Sequence, residues 1–140
     1  MERALAILGS RMREPGYALT SPDAAGDYIA LHIGADPCER FAVLYLDGQN
    51  SVIAFECHFT GTLTQASVYP REIVQTAMRH NAAAVVLAHN HPSGSLSPSA
   101  ADKALTQAFK QTLALVDVRV LDHIIVGGRG SFSFANNGLL

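Results

Sequence analysis

The sequence predicts an α/β fold, a single sandwich in which helices flank a mixed β-sheet. Three observations predict it. The chain has 140 residues, 49% apolar and 16% charged, long enough to bury one continuous core and too apolar for a disordered polymer. Pairs of strand-like runs alternate with stretches of helical spacing. The run around Val85-Val86-Leu87 is short and apolar throughout, the pattern of a strand covered on both faces.

Glu2 to Arg13 has helical spacing and stops before Pro15-Gly16, so residues 1–20 read as an N-terminal helix and linker ahead of a domain over 21–140. Ser21 is a good N-cap, Pro22 suits the first helical position, and Asp23 favours the positive end of the dipole, predicting a helix that ends near Gly34. Phe41 to Leu46 and Ser51 to Thr60 flank the turn sequence Asp47-Gly48-Gln49-Asn50 and predict a hairpin. After Pro70-Arg71-Glu72, the positions of Ile73, Val74, Ala77 and Met78 predict a helix to about His80. Ala83 to Ala88 is the buried strand, His89 to Pro98 a loop, and Ser99 opens a helix reaching about Leu115. Val118 to Val126 and, beyond Gly127-Gly128, Ser131 to Phe134 are the last strands.

Ten basic and twelve acidic residues give a formal charge of -2 with no run of like charges, so bulk electrostatics gives no support for nucleic-acid binding. Cys38 and Cys57 form neither a C-x-x-C pair nor a disulfide framework and read as reduced thiols, predicting a cytoplasmic protein. The apolar stretch after Met1 is too short for a signal-peptide core, and the longest apolar run, Ala82 to Ala88, falls far below the roughly 20 residues of a membrane span.

The chemistry is concentrated in His89-Asn90-His91-Pro92-Ser93-Gly94 and Pro98-Ser99-Ala100-Ala101-Asp102. At a strand end, residues two apart project to the same side, so His89 and His91 offer two imidazoles to one ion while Asn90 faces the other way. The Pro-Gly turn and the ten residues between His91 and Asp102 let the next helix return its first turn to the same place, where Asp102 supplies a carboxylate. Two imidazoles and one carboxylate are the ligand set of a catalytic zinc, because three protein groups leave a fourth position for water. Each piece has a plainer reading too. Ser99-x-x-Asp102 is also a capping-box spacing, and a histidine pair near a turn serves as readily in surface hydrogen bonds. The combination favours the metal.

A zinc hydrolase also needs a general base. Glu39, just before the first strand, and Glu72, at the start of a helix, are the candidates; both are equally readable as solvated surface acids. Asp122-His123 is a candidate pair for orienting a ligand imidazole, against the plainer reading of a hydrogen-bonded strand histidine, and His32, His58 and His80 read as ordinary histidines.

The pattern H-x-H-x(7)-S-x(2)-D, filled by His89, His91, Ser99 and Asp102, resembles the JAMM or MPN-type metalloprotease motif. More narrowly, Gly61-Thr62-Leu63, Tyr69-Pro70-Arg71-Glu72, Leu87-Ala88-His89 to Gly94, Pro98-Ser99 and Leu121-Asp122-His123-Ile124-Ile125 look like the RadC family, a likeness covering about Ser21 to the C-terminus. The resemblance implies an MPN-like sandwich with cytidine-deaminase-like layering and a zinc ion held by His89, His91 and Asp102. It implies that Ser99 stabilises the oxyanion and that Glu39 is the acid/base, with Glu72 the runner-up. The implied activity is that of a zinc metallopeptidase or isopeptidase acting on a peptide or isopeptide-linked protein. Full-length RadC proteins carry a helix-hairpin-helix-like N-terminal segment that the stretch before Ser21 does not supply, and the family's association with DNA repair is not written in these residues. The competing readings are a non-catalytic MPN-like interaction module and a DNA-repair-associated factor.

Overall fold

A computed structural model describes residues 18–19, 21–61, 68–128 and 130–140; the helix expected over Glu2 to Arg13 lies outside them, as do Thr62 and Leu63. Helix α1 (Pro22–Ile33) begins where capping chemistry places it: the Ser21 hydroxyl accepts the Ala24 N–H and Pro22 occupies the first turn. Strands β1 (Arg40–Leu46) and β2 (Val52–Thr60) form an antiparallel hairpin. Asp47 Oδ1 closes its turn by accepting the N–H groups of Gln49 and Ser51. Helix α2 (Pro70–Arg79), strand β3 (Ala84–Asn90), helix α3 (Ala100–Ala114), and strands β4 (Arg119–Gly127) and β5 (Gly130–Ser133) follow, with a last 3-10 turn at Ala135–Asn137.

The five strands run in the order β2-β1-β3-β4-β5. Only β3 and β4 are parallel; the other neighbours are antiparallel, which makes the sheet mixed as expected. Alternation along each strand sorts side chains between two cores. Phe41, Val43, Tyr45, Val85 and Leu87 pack with Ile73 of α2 and Leu105, Phe109 and Leu113 of α3. Leu44, Leu46, Val86, Ala88, Ile124 and Val126 pack on the opposite face with Ala25, Tyr28, Ile29 and Ile33 of α1. Each large apolar side chain removed from water contributes about 1.5–3 kcal/mol, so both helical layers clamp the central strand firmly.

Several boundaries shift by a residue or two from expectation, and two of the shifts bear on the site. β3 continues through His89 to Asn90, because both have ladder partners: His89 lies opposite Phe41 and Ile125, and Asn90 opposite Val126. The last strand stops at Ser133 because Phe134 turns to φ -63° and ψ -40°, which lets its buried ring stack on His123 at 4.5 Å. Cys38 and Cys57 are free and exposed. Among the described residues no helix is long and apolar enough to cross a membrane.

Candidate metal centre

The carboxyl end of β3, beside its parallel neighbour β4, is where an open α/β sheet leaves room for a ligand. The period of the strand puts His89 on the α2/α3 face with Leu87, fully buried. His91 stands just past the strand and remains tied to the sheet by its N–H to Val126 O at 2.9 Å. The chain then turns back, Gly94 N–H to His91 O at 2.9 Å, with Gly94 at φ 86°, a conformation that disfavours any side chain. Gly127 runs against this turn so closely that a β-carbon there would sit 3.1 Å from His91 O.

The result is convergence. His89 Nε2 and His91 Nε2 are 2.7 Å apart. Asp102, in the first turn of α3, sets Oδ1 3.3 Å from His89 Nε2 and Oδ2 3.6 Å from His91 Nε2. Ser99 and Asp102 also form the capping box: Asp102 N–H to Ser99 Oγ at 3.0 Å and Ser99 N–H to Asp102 Oδ2 at 2.8 Å. The cap is therefore not a rival to the site; it aims the carboxylate. Burial alone would raise the Asp102 carboxyl, but His89 and the Ser99 N–H bonded to its Oδ2 outweigh it and hold it well below the usual carboxylate range.

Glu39 closes the group, its carboxylate lying with ring nitrogens of His89 and His91 in one cluster whose ligand atoms are all within 4.8 Å of one another. Asn90 brings it there. Facing away from the two histidines, the Asn90 amide donates to Asp36 O at 3.2 Å and Cys38 O at 2.9 Å and accepts the Arg40 N–H at 2.7 Å, pinning the backbone on both sides of Glu39. Arg40 also pairs with Asp36, which stiffens the same segment.

The donor set suits a divalent cation. His91 Nδ1 lies 2.8 Å from Ser95 O, and because a carbonyl only accepts, that nitrogen carries the proton and leaves Nε2 bare in the neutral ring. Bare imidazole nitrogen and carboxylate oxygen, crowded together in a site closed to water on the strand side, are the ligand types that zinc takes.

Residues 19–139 match the family described as the RadC-like JAB domain. The chain belongs to that family. It is similar to the UPF0758 protein YkfG of Escherichia coli (strain K12), 55% identical over 140 residues, all of this chain and 89% of YkfG. UPF0758 protein YeeS of the same organism is 52% identical over all of this chain and 95% of its own length. A UPF0758 protein of Janthinobacterium sp. (strain Marseille) is 62% identical over 125 residues, which are 89% of this chain but 56% of that longer protein. RadC-like JAB membership carries with it a JAMM-type metallohydrolase fold, and the cluster of His89, His91 and Glu39 is a possible metal site within it.

Within this RadC-like JAB domain the other candidates separate cleanly. Glu72 is not in the cluster; half exposed, it stands 3.9 Å from His58 Nδ1. His32 packs against the rings of Tyr28 and Phe55, His58 meets Tyr45 and His80 meets Glu56. Asp122 and His123, adjacent on β4, point to opposite faces. His123 reaches the site, with Nε2 2.8 Å from His89 Nδ1. Asp122 instead accepts from Ser133 Oγ at 2.5 Å and Ala135 N at 3.0 Å, anchoring the C-terminal turn. Sequence reasoning missed Asn90 as a clamp and missed Ser95 and Thr106 altogether; only Thr106 left a trace, four residues after Asp102 and so on the same helix face.

Proposed function

We propose that the chain is a zinc-dependent metallohydrolase that cleaves an amide bond, a JAMM-type peptidase or isopeptidase acting on a peptide or an isopeptide-linked protein. The observation that carries this reading is the meeting of the two Nε2 atoms of His89 and His91 with the Asp102 carboxylate, with Glu39 alongside. His89, His91 and Asp102 would hold the ion. When bound, zinc supplies a water acidified to a pKa of about 7 and a polarised carbonyl.

Glu39, half-buried at the mouth of the site, takes the proton from the attacking water and passes it to the leaving amine, so the C–N bond breaks as a neutral amine departs. The Ser99 hydroxyl accepts the Asp102 N–H and keeps its own proton for another acceptor; exposed at the start of α3, it donates that proton to the developing oxyanion. Asp102, kept anionic, balances the positive charge of the centre.

The test is metal analysis of protein purified without chelator, followed by a screen of peptide and isopeptide-linked conjugates. The expected result is stoichiometric zinc and cleavage that stops on chelation and returns with added zinc. Protein that holds no zinc and shows no affinity for added zinc would overturn the proposal. Zinc-loaded, folded protein that cleaves nothing across a broad panel would favour a non-catalytic interaction module.

A further inference from the structure

A neutral imidazole carries one proton on one of two nitrogens, and His89 can serve a cation through Nε2 only if that proton sits on Nδ1. What decides between them lies behind the ring. His89 Nδ1 is 2.8 Å from His123 Nε2, His123 Nδ1 is 2.6 Å from Thr106 Oγ1, and Thr106 Oγ1 is 2.7 Å from the main-chain oxygen of Asp102. His89, His123 and Thr106 are all completely buried.

The direction of this chain follows from its far end. A carbonyl oxygen only accepts, so the single hydroxyl proton of Thr106 goes to Asp102 O, and Thr106 Oγ1 accepts from His123 Nδ1–H. His123 is enclosed by the rings of Phe134, stacked at 4.5 Å, and Phe41, edge-on at 6.1 Å, and among the described residues its ring pairs with no carboxylate. A charged imidazolium is costly in such surroundings. With its one proton on Nδ1, His123 offers a bare Nε2, and His89 donates to it from Nδ1. The His89 Nε2 lone pair is then aimed at His91 and Asp102.

We propose that Thr106 and His123 are positioning residues, forming a directed hydrogen-bond chain from the Asp102 carbonyl that holds the His89 proton on Nδ1 and presents Nε2 to the metal. The consequence is that Asp102 acts twice, by its carboxylate and, through its main chain, on the tautomer of His89. The inference rests on the zinc reading of the site, but the tautomer belongs to the metal-free protein and is measurable there.

Thr106→Val keeps the shape and removes the acceptor. His123 then gains nothing by protonating Nδ1; its proton moves to Nε2, donates to His89 Nδ1, and drives the His89 proton onto the ligand atom. The experiment reads the imidazole nitrogen NMR shifts of metal-free protein and, separately, zinc affinity by chelator competition. Wild type should show His89 protonated on Nδ1. Thr106→Val should shift it toward Nε2 and weaken zinc binding about 10–100-fold. Thr106→Ser, which restores a hydroxyl, should recover both. If Thr106→Val fails to fold, the wild-type spectrum still decides, because a His89 proton on Nε2 there overturns the inference. Equal zinc affinity and an unchanged tautomer in Thr106→Val would also overturn it while leaving the metal site intact; wild type without zinc affinity would instead sink the metallohydrolase reading and leave the tautomer result standing.

Discussion

Histidines, carboxylates and a hydroxyl meet in two places, and the chemistry of the two differs. Between β2 and α2, His80 Nε2 is 2.6 Å from Glu56, Arg79 is 3.7 Å from the same carboxylate, and His58 stands 2.7 Å from the Tyr45 hydroxyl and 3.9 Å from Glu72. Glu56 has His80 and Arg79 beside it and the Tyr45 hydroxyl has His58, and Glu56 and Glu72 keep 36% and 51% of their side-chain surface in water, which screens their charge. At the end of β3 the arrangement is inverted. His89 and Asp102 are buried, the outer nitrogens of His89 and His91 are engaged by His123 and Ser95, and their two Nε2 atoms converge with the Asp102 carboxylate. Self-satisfied polar clusters stabilise a surface; lone pairs left converging in a closed place ask for a cation.

The sharpest way to break this contrast is to remove ligands from each region in turn. His89→Ala, His91→Ala and Asp102→Ala should each weaken zinc binding by about a hundredfold or more, since two remaining groups hold the ion poorly. His58→Ala and His80→Ala should leave zinc affinity unchanged. Chelator competition on the five variants reads both arms, and comparable losses in the two groups would show that the metal is held elsewhere.

A smaller contrast separates the two glutamates. Glu39→Gln keeps size and polarity but removes the carboxylate proposed as the base, so zinc content should persist while turnover falls about a hundredfold or more. Glu72→Gln loses only a charge near a helix N-terminus, a cost of about 0.3–1 kcal/mol in stability with the chemistry intact. Steady-state rates on the first conjugate found to be cleaved decide between them; hydrolysis abolished by Glu72→Gln and spared by Glu39→Gln would move the base.

How far each region was legible in the sequence follows from how local its geometry is. His89, His91, Ser99 and Asp102 lie within one strand-turn-helix unit, where the period of the strand and the spacing of the cap nearly determine the outcome. Glu39 depends on contacts across about fifty positions, made by Asn90 to the backbone around it, and nothing in Cys38-Glu39-Arg40 announces them. Adjacent in sequence, Asp122 and His123 look like one unit, yet strand alternation sends them to opposite cores, and only His123 reaches His89. Thr106 shares a helix face with Asp102 in the sequence, but its contact with His123 requires α3 to pack over β4, a tertiary fact.

The last contrast is in pH, and its sign differs between residue types. His58 has its pKa lowered because burial outweighs the attraction of Glu72 and Glu56. The unfolded chain therefore takes up a proton near pH 6.5 that the folded chain still refuses, so stability is full above that pH, falls as the pH drops through it, and levels off below the folded value. Burial, with His89 adding to it, lowers His123 much further, so the β3 region contributes loss over the same onset and continues to lower pH. Asp102 acts in a separate window: its carboxyl is depressed below 3.8, and the stability it confers is lost only as the pH falls beneath that value. Denaturant unfolding of chelator-treated protein, stepped from about pH 8 to about pH 5, should show a decline beginning near pH 6.5. His58→Gln, which has no proton to gain, should make that decline shallower without removing it, since His123 still contributes. A decline unchanged in His58→Gln would mean that burial at the β2–α2 face is too slight to oppose the charge, and that the pH response belongs to the β3 region alone.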